Sequence, residues 1–344
     1  MEAASVPADP YAKRVTPLSF ISDNILWILF GGALAYYLLS DTTQTLVDIK
    51  TGLSNGTIWA LIALGYTLVY GIIELINFAH GEVFMIGSFV SVSLWQSLGV
   101  TDATSTGLIV LSIALATVGA MIACGTLNVM IERVAYRPLR NAPKLAPLIT
   151  AIGMSFILQN VGLLWRPSPD AAPDLIGSQK TLFSVLDVDI LRSDVFAVAI
   201  TVPLLVALLW FVGSTRYGKA MRATAQDPDA ARLMGIDVDR TVALTFLLGG
   251  LLAGAAGMIY AIYNGTIQYN QGFTAGLIAF TAAVMGGIGN LKGAVVGGLM
   301  IGVIQSLSDT HFGQVWTPAI VFGILILVMV FKPSGLFGEE VREG

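Results

Sequence analysis

The sequence predicts an all-α, polytopic membrane helical bundle of about ten membrane segments, some of them short or broken. Three observations carry that expectation. Of 344 residues, 55% are hydrophobic and only 12% charged, where a soluble domain carries about 25% charged residues. The apolar residues gather into runs, several approaching the ~20 residues that a bilayer crossing needs. The cations between them are unevenly placed. With a cytoplasmic N-terminus and ten crossings, fourteen of the eighteen Lys and Arg lie inside, leaving Lys50, Arg166, Lys180 and Arg192 outside. Both termini are therefore expected to face the cytoplasm.

In chain order, residues 1–23 are polar, contain Pro7, Pro10 and Pro17, and read as a flexible cytoplasmic tail. Lys13 and Arg14 precede the first apolar run, 25–39. A signal peptide shares that layout, but no small-residue cleavage pattern follows Leu39, so a retained first helix is expected. The membrane domain is read over 24–337, with 338–344 as a cytoplasmic C-terminal tail.

The second run, 58–72, leads into the stretch that organises the chain. It is expected to break at Gly71 into a segment holding Glu74, Asn77, His80 and Glu82, before apolar character resumes over 83–98. A charge at mid-bilayer costs about 2.5–3.5 kcal/mol on insertion scales. Broken backbone at that depth must be buried in protein or line a cavity. A wet pathway beside residues 71–82 follows. His80 with Glu82 reads either as a proton relay or, preferably, as a structural pair fixing the broken helix.

Runs 106–131 and 146–165 come next. The first contains Cys124, the sole cysteine, which leaves no disulfide framework and no cysteine-ligated metal. The outer loop 166–194 carries Asp170, Asp174, Asp187, Asp189 and Asp194, and Pro167, Pro169 and Pro173 keep its start from being helical. It reads as a landing site for an external partner or as an acidic solvated loop.

Run 195–213 leads to the cytoplasmic loop 214–240. Its alternating charges and the Ala-rich stretch around Pro228 predict one or two short amphipathic helices, with Asp227 as an N-cap and Pro228 in a first turn. A rigid pair of this kind can transmit force from a soluble partner. The alternative is a basic loop that only fixes topology. Gly213 to Ala220 has phosphate-loop spacing, but Ala220 replaces the magnesium-binding hydroxyl and a membrane helix precedes it, so no nucleotide site is assigned.

Runs 241–264, 275–286, 294–308 and 315–331 complete the chain. Those at 275–286 and 294–308 are short enough to be half-helices or tilted pieces. Gly250 with Gly254, Gly293 with Gly297, and Gly298 with Gly302 are small-xxx-small pairs that mark helix contacts. An internal echo relates residues 60–81 to 276–293: Ala-Leu-Ile-Ala before Gly71-Ile72 and Asn77, and Gly-Leu-Ile-Ala before Gly287-Ile288 and Asn290. A repeat or a chance similarity explains it; a repeat would make the two breaks paired elements on the inner side. With His80 and His311 the only histidines, there is no zinc-protease pair and no nucleophile elbow. No catalytic, cofactor, metal or nucleic-acid site is assigned.

Several blocks carry a resemblance. Asn77-Phe-Ala-His-Gly-Glu82 with Met85-Ile-Gly87 resembles the signature of permease subunits of branched-chain amino acid ABC importers, the LivH type. Glu132-Arg-Val-Ala-Tyr-Arg-Pro138, Leu148-Ile-Thr-Ala-Ile-Gly153, Met221-Arg-Ala223, Leu233-Met-Gly-Ile236 and the block from Phe280 to Gly289 do so too, in the same order. The likeness runs from about residue 52 to 337; the segment at 25–39 and the acidic outer loop fit it less closely.

The resemblance implies a multi-pass subunit of the bacterial inner membrane that moves branched-chain amino acids by alternating access. It implies a second, LivM-like permease, two cytoplasmic ATPases and a periplasmic substrate-binding protein, with membrane lipid around the bundle. ATP hydrolysis then belongs to the partners, and the chain is not an enzyme. Such permeases carry a Glu-Ala-Ala-xxx-Gly coupling pattern, which Asp229-Ala-Ala231 and Gly235 match with Asp for Glu, while its later part is missing. The ATPase-coupling residues are then Arg216, Met221, Arg222, Asp227, Asp229, Ala231, Leu233 and Gly235. A zwitterion needs polar groups along its route, and Tyr66, Thr67, Asn77, His80, Gly286, Gly287 and Asn290 are the candidate lining. Permeases for urea and short amides share the Asn-Phe-Ala-His-Gly block. An ion-coupled secondary transporter using Glu74 or Glu82 as a proton carrier is the alternative from another class.

Overall fold

Residues Thr42–Ile73 form a single 32-residue helix, α2, and the rest of the bundle is built around it. A computed structural model describes residues 17–101, 104–140, 142–143 and 145–338, with the side chains of 17–23 and 26 excepted. Asp41 caps α2 by accepting the Gln44 N–H at 3.0 Å. From Ile58 to Leu64 every residue is 0–4% exposed. A helix apolar on all faces has to be covered on all faces, so α2 takes the centre.

The helices around it are α1 (Pro17–Ser40), α3 (His80–Ser97), α4 (Thr106–Ile131), α5 (Leu145–Trp165), α6 (Arg192–Ser214), α7 (Arg216–Gln226), α8 (Pro228–Leu233), α9 (Val238–Asn264), α10 (Gln271–Gly286), α11 (Leu291–His311) and α12 (Thr317–Phe331). Helix α1 begins at Pro17, inside the stretch read as tail. Residues 1–16 and 339–344, where the tails were otherwise placed, lie outside the described residues. α2 packs chiefly on α11 and also on α9, which in turn packs on α3 and α4.

The expected small-residue contacts set these distances. A Cβ on Gly56 of α2 would lie 2.8 Å from Leu299 Cα, and one on Gly298 of α11 would lie 2.6 Å from Ala60 Cα. In the second layer, a Cβ on Gly250 of α9 would lie 2.5 Å from the Cys124 carbonyl of α4. Backbones this close give up the side chain entirely in exchange for continuous dispersion contact, the main attraction available between helices in lipid.

Each of the ten expected apolar runs falls on a helix, those at 83–98 and 315–331 overrunning it by one or two residues, but among the described residues six helices are long and apolar enough to cross a membrane: α2, α4 with its extension to Leu139, α5, α6, α9 and α11. The run at 294–308 is thus part of a full-length helix. α10 and α12, with 16 and 15 residues, span roughly 24 Å or less at 1.5 Å per residue and fall short of the ~30 Å hydrocarbon core. The outer helices present Leu111, Ile122, Phe156, Val206, Trp210 and Ile326, each more than half exposed, as an apolar belt suited to lipid.

Two corrections concern local structure. α2 does not break at Gly71; it runs to Ile73 and stops at Glu74, whose φ of 52° and ψ of 27° are left-handed. The irregular segment is therefore 74–79. The outer loop 166–194, read without strands, holds β2 (Thr181–Val185) and β3 (Val188–Leu191) paired as an antiparallel hairpin. A second small pair joins β1 (Asp170–Ala171) to β4 (Thr266–Ile267). Arg166 fastens the start of this loop to the end of α3, donating to Ser93 at 2.8 Å and Gln96 at 3.0 Å and pairing with Asp170. At its far end Asp194 pairs with Lys50 of α2 at 3.0 Å.

Candidate functional site

Three cavities lie in sequence along α2, joined by shared wall residues. The largest, about 660 Å³, is lined by Thr67 and Gly71 of α2, Val212 of α6, Met221 and Arg222 of α7, and the 288–292 segment including Asn290. Ile288 is also a wall of the second, a constriction of about 10 Å³ bounded by Tyr66, Tyr70, Ile76 and Phe280. Tyr66 in turn is a wall of the third, about 50 Å³, which reaches Phe78, Ser155 and Gly276. The three cavities are thus separated by side chains, with Ile288 between the first and second and Tyr66 between the second and third. Tyr66 packs edge-on to Phe280 at 6.0 Å and to His80 at 5.0 Å between ring centroids.

The break between α2 and α3 is held by a buried polar strap. Asn77, 1% exposed, donates to Asn128 Oδ1 at 3.3 Å and accepts from the Tyr136 hydroxyl at 3.1 Å. Asn128 donates onward to the Phe246 carbonyl of α9 at 2.6 Å. Tyr136 is the last residue of a π-helical turn, Glu132–Tyr136, that follows α4, a rare conformation frequent at functional sites. Satisfied networks of this kind rigidify the backbone they hold.

The second break, 287–290, meets the last turn of α2: a Cβ on Gly71 would lie 3.5 Å from Gly289 Cα. Asn290 caps α11 by accepting the Gly293 N–H at 3.0 Å and donates to the Phe337 carbonyl at 2.7 Å. In the segment after α12, the Leu336 N–H donates to the Met285 carbonyl at 2.8 Å. Helix α2 packs on α11 while α3 packs on α10, so the two broken pairs interlock.

Below the large cavity, α7 and α8 form an elbow. Thr215 caps α7 by accepting the Gly218 N–H at 3.1 Å and donates to the Phe211 carbonyl at 2.6 Å. Asp227 caps α8 by accepting from the Asp229 and Ala230 N–H groups, both at 2.9 Å, and Pro228 occupies the first position, as the sequence indicates. Arg222 donates to the Val212 carbonyl and, at 3.3 Å, to the Gly213 carbonyl, placing a cation on the unpaired carbonyls that end α6. Gly235, at φ +83°, closes α8. Leu233 and Met234 at its tip are 89% and 83% exposed, an apolar knob projecting from a polar loop.

Residues 49–330 match the family described as the branched-chain amino acid transport system permease component. The chain belongs to this family. It is 43% identical over 301 residues, 87% of its own length and 97% of the relative's, to the high-affinity branched-chain amino acid transport system permease protein LivH of Salmonella typhimurium. It is 42% identical, with the same coverage, to LivH of Escherichia coli K12, and 40% identical over the same shares to the permease protein BraD of Pseudomonas aeruginosa. No solved structure matches the chain. Helix α1 lies wholly before the matched residues.

Within this permease the sequence-assigned residues separate into groups. Thr67 and Asn290 line the large cavity and Tyr66 lines both smaller ones. Asn77 and His80 are buried, at 1% and 0% exposure; Asn77 belongs to the polar strap, and the His80 ring packs edge-on against Tyr66. His80 fits beside Gly65, where a Cβ would overlap its ring. Gly286 packs on the Gly293 backbone, and Gly287 on Gly335 and Gly338. Of the elbow residues, Met221 and Arg222 face the cavity, Asp227, Asp229 and Gly235 build the caps and turns, Ala231 is buried, and Leu233 is exposed. Sequence reasoning missed Asn128 and Tyr136, the aromatic plug of Phe78 and Phe280, and the cluster in which Arg137 and Arg140 clasp Asp239 while Arg140 also holds Glu132. The Glu132 to Pro138 block named them in part, without their partners.

Proposed function

We propose that this permease carries branched-chain amino acids as the membrane half of an ABC importer, by alternating access driven from the cytoplasm. It pairs with a second, LivM-like permease, takes force from two cytoplasmic ATPases and receives substrate from a periplasmic binding protein. The observation that carries this reading is that the elbow and the pathway share one wall: Met221 and Arg222 of α7 line the same cavity as Thr67 and Ile288. A push on Leu233 and Met234 moves α7. Through Arg222 and the short Thr215 joint it moves the end of α6, changing the cavity that abuts the Tyr66 and Ile288 closures. Binding energy in the partner ATPases then favours one of two packings of the bundle.

The likeness to bacterial permeases supports placing the chain in the inner membrane, and the cation distribution among the loops supports both termini being cytoplasmic. In that topology α1, α3, α10 and α12 complete the ten segments, the short ones through tilt or by pairing end to end across the breaks.

The substrate class is tested by reconstituting the importer with its binding protein in liposomes and measuring ATP-dependent uptake of labelled leucine against unlabelled competitors. Isoleucine and valine are expected to suppress uptake at least tenfold when in hundredfold excess, and urea or acetamide to leave it unchanged. Suppression by urea or acetamide alone would move the chain to the amide-carrying branch.

A further inference from the structure

We propose that Glu82 is the anchor for the ammonium group of the transported amino acid, reached through the small cavity at Ser155; this deepens the importer reading and rests on it. Glu82 lies in the first turn of α3 with no solvent exposure. One carboxylate oxygen accepts the Ser155 hydroxyl at 3.2 Å, and the other, Oε2, has no hydrogen-bond partner. Among the described residues no cationic side chain pairs with it. An ionisable group buried in a membrane bundle without its counter-charge is costly to keep and marks a candidate functional site.

The surroundings are built to keep it so. Gly272 of α10 stands against Oε2, where a Cβ would overlap the carboxylate, and one turn on, a Cβ at Gly276 would lie 3.0 Å from the Tyr66 hydroxyl. Two glycines at i and i+4 thus clear space for a carboxylate and a phenol on neighbouring helices. Ser155, the hydrogen-bond donor to Glu82, lines the 50 Å³ cavity with Tyr66, and Phe78, Phe273 and Leu277 supply apolar walls. A carboxylate behind two hydroxyls, beside aromatic and aliphatic surface, has the makings of a site for a small zwitterion with a branched apolar side chain.

The cavity is well below the ~300 Å³ of ordinary ligand pockets. It receives substrate only when Tyr66, which closes it from the 10 Å³ constriction, swings away. The ammonium then pairs with the carboxylate that lies behind Ser155, and the open state is favoured by substrate.

The test uses the complete importer, with binding protein, in liposomes. Glu82→Gln keeps shape and one acceptor but removes charge; Glu82→Asp keeps charge and shortens the side chain. Leucine uptake is expected to fall at least tenfold in Glu82→Gln, with binding-protein-stimulated ATP hydrolysis retained, and to be higher in Glu82→Asp than in Glu82→Gln. Uptake by Glu82→Gln equal to or above that of Glu82→Asp overturns the proposal, because shape and not charge would then matter. A second measurement leaves Glu82 in place: Ser155→Cys in a Cys124→Ala background, probed with cationic and anionic methanethiosulfonates. Relative to a free thiol, the cationic reagent is expected to react at least tenfold faster than the anionic one, and leucine during turnover to slow it. Equal relative rates, or no protection by leucine, would overturn the anchor. Failure of the unsubstituted complex to take up leucine would overturn the importer reading and the anchor together.

Discussion

Gly302→Leu is expected to abolish folded protein. Helix α11 approaches α2 here backbone to backbone: a Cβ at Gly302 would lie 2.5 Å from Gly56 Cα, and closer still to the Gly52 carbonyl. No flexible side chain can move aside, so the helices have to part along their whole contact. Overpacking where side chains can shift costs typically 1–3 kcal/mol; with rigid backbone on both sides the cost is at or above the top of that range, about a hundredfold in population. Dispersion between close helices is the main force holding a membrane bundle, and α2 with α11 is its central pair. The measurement is the monodisperse fraction after detergent extraction. It should fall more than tenfold in Gly302→Leu. In Gly323→Leu, where nothing lies within 4 Å of the added Cβ, it should be unchanged. Equal yields from the two variants would mean that the α2–α11 contact is not what holds the bundle.

The second large effect is expected at the elbow. Arg222→Ala removes the cation from the Val212 and Gly213 carbonyls that end α6. Hydrogen bonds to a charged group contribute about 1.5–3 kcal/mol each, although water reaching the vacated carbonyls recovers part of that. Helix α7 stays folded, because its Thr215 cap and the buried Met221 are untouched. What is lost is the rigid joint to α6. Uptake is expected to drop at least tenfold while the assembled complex hydrolyses ATP near the unsubstituted rate. Parallel loss of both activities would indicate failed docking, and normal uptake would remove Arg222 from force transmission.

How much of this was readable from the residues depends on how local each cause is. Asp227 and Pro228 cap and start α8 through contacts two and three residues away, so the elbow's helices follow from their own sequence. The end of α2 was misplaced by three residues because Gly71 looks like a breaker. A helical glycine costs about 1 kcal/mol, which burial on the central helix outweighs. The hairpin in the outer loop went unseen because its left-handed turn uses Leu186 and Asp187, at φ 52° and 62°, in place of the Asn-Gly signal. The polar strap is non-local: Asn77 finds Asn128 and Tyr136, which lie 51 and 59 residues away. A single sequence marks such residues as costly in a membrane without saying which of them meet.

The central claim is that this bundle moves solute only when force enters through α7 and α8. Its most direct test is leucine uptake into liposomes holding the chain and its partner permease, with and without the ATPase subunits and ATP. The account predicts uptake above the leak rate only when the ATPases and ATP are both present. Full-rate uptake by the permeases alone, or driven by a proton gradient in place of ATP, would contradict it.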